Sequence, residues 1–400
     1  MGSTVGQAFV REFLDSSFWS TSRGRSTLLR RGLIPPEDRE SLLTTDLFEL
    51  YLSSCQNLED GWVRVISGGV GRSPGSRTKD HHLDLKAVRG AHRNGASLLL
   101  TRLQKRRKEI ALCCRAVEEA FVRHGVVLVA RVGANAYLTP PNASGFKVHN
   151  DGHDVIVLQL EGEKRWRLYD FSQTLPLESD PAVLEEPPEP SEELVLSPGD
   201  ALYVPRGLFH AAETRGSHSL HITLSIHVLT QRDLVQRALD GVPALRRDAP
   251  AVGRGGETAS VASAELLREV TEALSPERLA RVAVATGNEA IVDWEIVPDA
   301  HLRSAWRAVE SGAAPRFRKA AGVFGVFSGA RDGLIELVCP GERIRGASAL
   351  REPLEFILGS DEAFGVGDVP GPLTWEAKSA LLQKLMDGGL VTLADEPDSG

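Results

Sequence analysis

Two histidines and one aspartate in the middle of the chain have the spacing of metal ligands. His149 and Asp151 lie two residues apart in KVHNDGHDVIVLQL, so both side chains project from one face of an extended backbone. His210 comes later, after a turn marked by Pro205 and Gly207 in SPGDALYVPRGLFHAAE. An HxD pair followed by a distant histidine is the order of a 2-His-1-carboxylate facial triad, which binds iron(II) and leaves coordination positions open. The alternative is three polar residues that cap strand ends.

His153 is a rival ligand. It lies four residues after His149, which is a spacing that suits a helix. The preceding TPPNASGFK is rich in proline and argues against a helix there. We therefore expect His153 to lie near the metal ligands without belonging to them.

The elements that position these residues are short strands. Between residues 124 and 228, β-branched runs alternate with proline and glycine, and no helical pattern is long enough to connect parallel strands. This pattern predicts an antiparallel barrel or jelly roll. Two of the strands have one polar face each. The residues on these faces are Asn135, Tyr137 and Thr139 in the first strand, and His221, Thr223, Ser225 and His227 in the second. One such strand alone is usually exposed to solvent, but several around the same motif predict a polar cavity.

These segments carry a family resemblance. VGANAYLTPPNASGFKVHNDGHDVIVLQLEGEKRWRLYD, LSPGDALYVPRGLFHAAE and LHITLSIH resemble the JmjC proteins of the ribosomal oxygenase branch, which are cupin-type protein hydroxylases that use Fe(II), 2-oxoglutarate and O2. The resemblance implies an α+β fold: a double-stranded β-helix (cupin or jelly-roll) barrel with flanking helices, followed by a helical dimerisation region and a winged-helix-like C-terminal domain. We expect these parts at residues 1–230, 231–325 and 326–400.

The resemblance also assigns roles to individual residues. His149, Asp151 and His210 match the iron ligands of the family. Lys164 matches the cation that pairs with the distal carboxylate of 2-oxoglutarate, and a dianionic 2-oxoacid does need a fixed cation at its far end. Tyr137 and Thr223 match positions that line the cosubstrate pocket, while Asn135 and Ser225 match positions near the bound peptide. Two alternatives stay open: Lys164 is a surface lysine of a hairpin, or Tyr137 is an ordinary residue of the barrel.

The chain departs from the family between the ligands, where Asn150 stands in place of a common tyrosine. Residues 170–194 contain eight acidic residues and no basic ones. Such a segment is consistent with a basic ribosomal protein as substrate, or it is a solvated loop without a partner. A tailoring hydroxylase of a peptide natural-product precursor, a non-catalytic cupin binding module, and a histone-type demethylase remain alternatives.

Composition narrows the class of protein. The chain has 400 residues and a net charge of -8, which disfavours a general nucleic-acid coat. Its four cysteines form no CxxC pair, so a reducing cytoplasm is expected. The sequence contains no apolar run long enough to suggest a membrane-spanning segment. Residues 67–82, rich in Gly, Ser and basic residues, suggest a surface loop, with a phosphate-binding loop as the alternative.

The remaining segments predict helices and a small α+β module. The pattern after GASLLLTRL predicts a helix over residues 103–122, with the basic run KRRK on a solvated face or on a nucleic-acid contact. Three helical patterns follow between residues 231 and 284, and Ser275 with Pro276 signals a helix start. Residues 331–400 carry six Lys or Arg and thirteen Asp or Glu, so this module is expected to contact protein and not DNA. We expect a homodimer.

Overall fold

The protein is described by a computed structural model. It covers residues 5–54, 62–72, 83–170, 183–246, 264–294, 315–328 and 333–394. The chain divides into two compact units. One comprises Met1–Ala120 with Arg131–His227, and the other comprises Phe121–Ala130 with Val228–Gly400. The described residues contain no helix with the length and hydropathy needed to cross a membrane.

The first unit consists of helices that precede an antiparallel barrel. Its helices are α1 (Val5–Phe13), α2 (Pro36–Leu42), α3 (Thr45–Ser54), α4 (Leu85–Arg93) and α5 (Lys108–Arg123), the last three residues of which belong to the second unit. The sequence predicted the last of these from residue 103. The structure starts it later because Arg102 adopts a left-handed conformation, with φ of 58°, and Leu103–Lys105 form a 3-10 turn.

The strands of this unit form two antiparallel sheets. The strands are β1 (Leu28–Arg30), β2 (Val63–Ser67), β3 (Val70–Arg72), β4 (Ser97–Leu100), β5 (Gly133–Thr139), β6 (Asp154–Gly162), β7 (Lys164–Leu168), β8 (Glu192–Leu196), β9 (Ala201–Val204), β10 (His210–Glu213) and β11 (Ser219–Ile226). The large sheet has the order β1-β9-β6-β11-β5-β4-β2-β3, and the small sheet has the order β10-β7-β8. Crossovers between non-consecutive strands of this kind are typical of a jelly roll.

An apolar core joins the two sheets. It contains Val155 and Val157 of β6 and Leu202 of β9 from the large sheet, which pack with Trp166 of β7 and Leu196 of β8 from the small sheet. Alternate residues of each strand face this core, as expected for two sheets that pack face to face. The prediction of a mixed α+β fold with a cupin-type barrel is confirmed.

Two glycines make the tight connections that the barrel requires. Gly162, with φ of 61°, ends β6 so that β7 can begin at Lys164, and a Cβ there would lie 1.8 Å from the carbonyl oxygen of His218. Gly207, with φ of 86°, lies in the turn before His210 and donates its N–H to the carbonyl of Asp151 over 2.9 Å. Both positions need the left-handed region that favours glycine.

The second unit contains helices followed by short strands. Its elements are α6 (Gln231–Asp240), α7 (Ala264–Ala273), α8 (Pro276–Val292), β12 (Phe317–Lys319), β13 (Val326–Ser328), β14 (Leu334–Cys339), β15 (Glu342–Ala347), α9 (Arg351–Gly359), α10 (Trp375–Asp387) and β16 (Val391–Leu393). Ser275 is the N-cap residue of α8 and Pro276 is its first residue, so the predicted helix start is confirmed. The finer division at residues 231–325 and 326–400 stays a prediction.

Candidate metal centre and cosubstrate pocket

The barrel brings His149, Asp151 and His210 together. Their ligand atoms all lie within 4.8 Å of one another, and Nε2 of His210 lies 3.7 Å from Oδ2 of Asp151. His149 and His210 are directly opposite each other on antiparallel segments. Each donates its backbone N–H to the other's carbonyl, over 3.1 Å and 2.8 Å. This paired backbone fixes the distance between the two imidazoles, whose ring centroids are 4.5 Å apart.

Backbone carbonyls set the tautomers of the two imidazoles. Nδ1 of His149 lies 2.8 Å from the carbonyl oxygen of Lys147, and Nδ1 of His210 lies 3.0 Å from that of Leu208. A carbonyl oxygen only accepts, so each Nδ1 must carry the proton and donate it. Each Nε2 therefore keeps its lone pair for a metal ion, which is the usual arrangement of histidine ligands. The residues present thus fit a divalent metal.

Electrostatics favours the ligand forms of these groups. Burial, together with the neighbouring His149, lowers the pKa of His210 to about 4, so its ring is neutral near pH 7. Burial acts to raise the pKa of the Asp151 carboxyl, but the surrounding imidazoles, His210 first, outweigh it and hold that pKa below its usual range. A neutral imidazole and an ionised carboxylate are the forms that coordinate a cation.

His153 does not belong to this cluster. Its ring lies 4.5 Å from that of His227, at an angle of 31°. Within the part of the chain that the structure describes, the group of three ligand atoms comprises His149, Asp151 and His210.

Lys164 lies in the interior of the barrel and not at a hairpin surface. Its side chain is 2% exposed, and its ammonium donates to Oγ1 of Thr139 over 2.9 Å and lies 6.0 Å from the ring centroid of Tyr137. No carboxylate of the described residues pairs with it. Burial lowers the pKa of Lys164 to about 7. An unpaired ammonium in such a place is costly, and an anionic ligand would offset that cost.

Two buried ring nitrogens next to Lys164 lack partners within the described residues. They are Nδ1 of His221 and Nε1 of Trp166. The His221 ring stacks on Tyr137, with centroids 4.8 Å apart and an interplanar angle of 1°, and Trp166 lies 6.0 Å from it. Burial, and then the charge of Lys164, lower the pKa of His221 well below its usual value. Buried polar atoms are nearly always hydrogen-bonded, so these atoms and Lys164 fit a polar ligand such as a 2-oxoacid.

The four softer site predictions lie on the expected strands. Tyr137 of β5 pairs with His221 of β11. Burial raises the pKa of its hydroxyl, and a hydrogen bond with the side chain of Thr223 opposes that shift. Asn135 pairs with Thr223, but its Oδ1 accepts a long 3.4 Å hydrogen bond from the backbone of Arg102. Ser225 is 9% exposed, further along the same face of β11. Their contacts with cosubstrate and peptide stay predictions. Asn150, between the ligands, is fully buried.

Three residues of this pocket received no individual role from the sequence, although two of them were placed on the strand faces that predict a polar cavity. Thr139 and His221 are these two, and the alternation in their strands gave their face but not their contacts with Lys164. Trp166 gave no such signal, because a tryptophan in an apolar run is ordinarily a core residue.

The negative charge of the acidic segment, residues 170–194, is partly neutralised by basic residues of the same chain. Glu185 forms a 2.7 Å ion pair with Lys147, and Glu193 pairs with Arg165. Residues 171–182 of this segment, and residues 73–82 of the possible phosphate-binding loop, lie outside the described residues.

Comparisons with known proteins match this site. Residues 114–234 match the family described as JmjC domain. Ribosomal oxygenase 1 of Rattus norvegicus is 52% identical over 100 residues, which are 24% of this chain and 17% of that protein. The bifunctional lysine-specific demethylase and histidyl-hydroxylase NO66 of Drosophila melanogaster is 38% identical over 178 residues, which are 41% of this chain and 26% of that protein. The chain thus spans only a minor part of the length of these relatives.

Solved structures extend the likeness of fold to nearly the whole chain. YcfD, a ribosomal oxygenase from Escherichia coli, in complex with cobalt and 2-oxoglutarate, aligns over 95% of this chain and 98% of its own. The TM-score is 0.55 and the sequence identity is 18%. The two chains share a fold.

Proposed function

We propose that the chain, which carries a JmjC domain of the 2-oxoglutarate-dependent oxygenase family and is related to the ribosomal oxygenases, hydroxylates a side chain of a protein or peptide. Iron(II) held by His149, Asp151 and His210 is the proposed metal, and 2-oxoglutarate the proposed cosubstrate. The support is the ligand set and its neighbours.

The single observation that carries the proposal is the buried cation beside the ligand cluster. Lys164 is enclosed without a counter-ion among the described residues. Its ammonium lies 6.0 Å from the ring centroid of Tyr137, and its charge acts on the neighbouring His221. A barrel selected for stability alone would place an apolar residue there, because a buried unpaired ammonium costs several kcal/mol, on the order of the whole stability of a domain. A dicarboxylate that reaches the metal with one end would place its other end on this ammonium.

The protein's part in the reaction is to bind and orient. When bound, iron(II) with 2-oxoglutarate supplies the oxidation of an unactivated C–H bond by O2, with succinate and CO2 as the products from 2-oxoglutarate. His149 and His210 present Nε2 to the metal because their Nδ1 atoms are committed to backbone carbonyls. Asp151 adds one negative charge, and its side chain stays 29% exposed, so the cluster is open to solvent.

The proposed substrate is a basic ribosomal protein. The support is the relatedness to ribosomal oxygenases and the acidic composition of residues 170–194. The ion pairs of Glu185 and Glu193 weaken the second argument, because they neutralise part of that charge inside the chain. The relation to ribosomal oxygenases therefore supports this proposal more strongly than the acidic composition of residues 170–194 does.

Mass spectrometry of ribosomal proteins tests both the chemistry and the substrate. The proteins are incubated with enzyme, Fe(II), ascorbate and O2, with and without 2-oxoglutarate, and Asp151→Ala serves as the matched control. A one-oxygen gain on a single residue that needs 2-oxoglutarate and Asp151 is expected. Loss of a methyl group with release of formaldehyde would instead identify a demethylase. Slow succinate formation without a ribosomal product would keep the oxygenase and move the search to peptides. Absence of metal binding would leave a non-catalytic cupin.

The helical region supports a second proposal, that the chain forms a homodimer through residues 231–325. Large apolar side chains are exposed on all three of its described helices: Val235 of α6, Leu267 of α7 and Val284 of α8. The family resemblance, which implies a helical dimerisation region after the barrel, supports the proposal, and these side chains are its candidate contacts. Leu267→Glu with Val284→Glu should give a monomer in light scattering, and a dimer that survives would place the interface elsewhere.

A further inference from the structure

A cavity of about 500 Å³ lies between α3 and α4 in the first unit. Its floor contains Leu98 of β4 and Leu138 of β5, which are paired neighbours in the large sheet. Phe48 and Leu52 of α3 form an apolar wall. All four side chains are buried. The volume and the apolar lining are those of small-molecule sites.

This cavity is separate from the metal centre. Successive side chains of a strand point to opposite faces of the sheet. Tyr137 points towards Lys164 and His221, so Leu138 points to the other face of β5. A ligand in the cavity therefore contacts neither the metal ligands nor the proposed cosubstrate pocket.

The rim of the cavity is positively charged. Lys86, Arg89 and Arg93 of α4 line it, and helical spacing places them on one side of the helix. Arg89 forms a 2.6 Å ion pair with Glu49 of α3. Lys86 and Arg93 have no ion-pair partner within the described residues. Three cations and one carboxylate leave a balance of +2 around the cavity, although the whole chain carries -8.

The helix itself accounts for Arg93 but not for Lys86. Arg93 lies in the last turn of α4, where a cation stabilises the helix dipole. Lys86 lies in the first turn, beside Asp84, whose side chain caps the helix by accepting from the N–H of Ala87. A cation near a helix N-terminus is unfavourable. The helix dipole therefore gives no reason for Lys86 at the rim of the cavity, where its charge is available to an anion.

We propose that this cavity binds a small amphiphilic monoanion, with its apolar body against Phe48, Leu52, Leu98 and Leu138 and its acidic head between Lys86 and Arg93. The apolar lining alone would accept any hydrophobic molecule. The rim cations select a carboxylate or sulfonate, because a polar rim around an apolar floor orients a ligand. This site is independent of the proposed oxygenase function.

Fluorescence titration of the full chain with two probes tests the site. Anilinonaphthalene sulfonate carries the acidic head, and phenylnaphthylamine is its neutral counterpart. We expect one sulfonate probe per chain, displaced by decanoate. Lys86→Glu combined with Arg93→Glu should weaken binding of the sulfonate about tenfold or more, by replacing attraction with repulsion, and change binding of the neutral probe less than about twofold.

Two further variants complete the test. Arg237→Glu, on an exposed position of α6 in the second unit, reverses a charge elsewhere and should leave both probes unaffected. Leu52→Trp fills the cavity and should abolish binding of both probes. The exposed rim residues can be changed without loss of the core, so the charge-reversal result decides the question even if Leu52→Trp fails to fold. Equal affinity for the two probes, or an unchanged sulfonate affinity after charge reversal, would overturn the proposal.

Discussion

Lys164 should make binding of 2-oxoglutarate depend on pH. In the free protein the ammonium is buried beside Tyr137 and Thr139, and its pKa is about 7. A dicarboxylate binds the charged form only, because a neutral amine offers no attraction to a carboxylate. Above pH 7, binding must therefore bring a proton to Lys164.

The magnitude follows from this pKa. Below pH 7 the lysine is already charged and affinity is constant, while above it each pH unit reduces affinity by a further factor that approaches ten. The dissociation constant should thus rise about tenfold between pH 6 and pH 8.

The stability of the free protein should also depend on pH through Lys164. The pKa of Lys164 lies below its ordinary 10.5, so the folded state binds fewer protons between these values. The destabilisation, roughly 5 kcal/mol, is present in full below pH 7 and is lost as the pH rises towards 10.5.

Calorimetry with saturating Mn(II), which supports binding without turnover, measures both effects. Lys164→Met should weaken 2-oxoglutarate binding about tenfold to a hundredfold at pH 6, remove its pH dependence, and raise stability at that pH by up to a few kcal/mol. Lys86→Met removes an exposed lysine of the same unit, on α4 and away from the cosubstrate pocket, and is the matched control; it should leave both quantities unchanged. If wild-type affinity stays flat from pH 6 to pH 8 and Lys164→Met binds normally, the placement of the distal carboxylate on Lys164 is refuted.

Three further variants probe the scaffold and the metal ligands. Asp151→Ala should abolish Mn(II) binding in equilibrium dialysis together with 2-oxoglutarate turnover, and a fully active variant would contradict the assignment of the ligands. Asp200→Ala should cost about 2–4 kcal/mol in urea denaturation, because this buried carboxylate accepts from the N–H groups of Gly32 and Ser197 and from Arg31; a loss below 1 kcal/mol would contradict the estimate. Gly162→Ala should cost at least about 1–2 kcal/mol in the same assay, because the left-handed backbone and the carbonyl of His218 both oppose a Cβ; unchanged stability would show that the turn relaxes.

The sequence predicts those parts of the site that depend on local spacing. HxD spacing on an extended backbone requires only neighbouring residues, and the alternation in β5 and β11 placed Tyr137 and Thr223 on one face. The contact of Lys164 with Thr139 joins two strands that are distant in sequence, so no local pattern could reveal it. The carbonyls of Lys147 and Leu208 lie only two residues before the histidines that they orient, but the conformation that brings each carbonyl to Nδ1 is set by the folded backbone and not by a residue pattern. The late start of α5 depends on one left-handed residue, Arg102, a conformation that arginine rarely adopts.

The unsatisfied groups of the cosubstrate pocket indicate why this barrel does not reach its highest stability. Lys164 keeps a buried charge without a counter-ion among the described residues, while His221 and Trp166 each bury a ring nitrogen without a hydrogen bond. Polar groups with no partner in the interior are rare in proteins, since each one costs about 1–3 kcal/mol. They are retained where a ligand supplies the missing partners. The hydrogen bonds and ion pairs that the ligand makes then contribute to its binding free energy. Lys164, which donates to Thr139 but lacks a counter-ion among the described residues, and His221 both lie near Tyr137, while Trp166 lies near His221 and the ligand His210. The same physical cost that weakens the free protein therefore gives the proposed cosubstrate its affinity and its orientation.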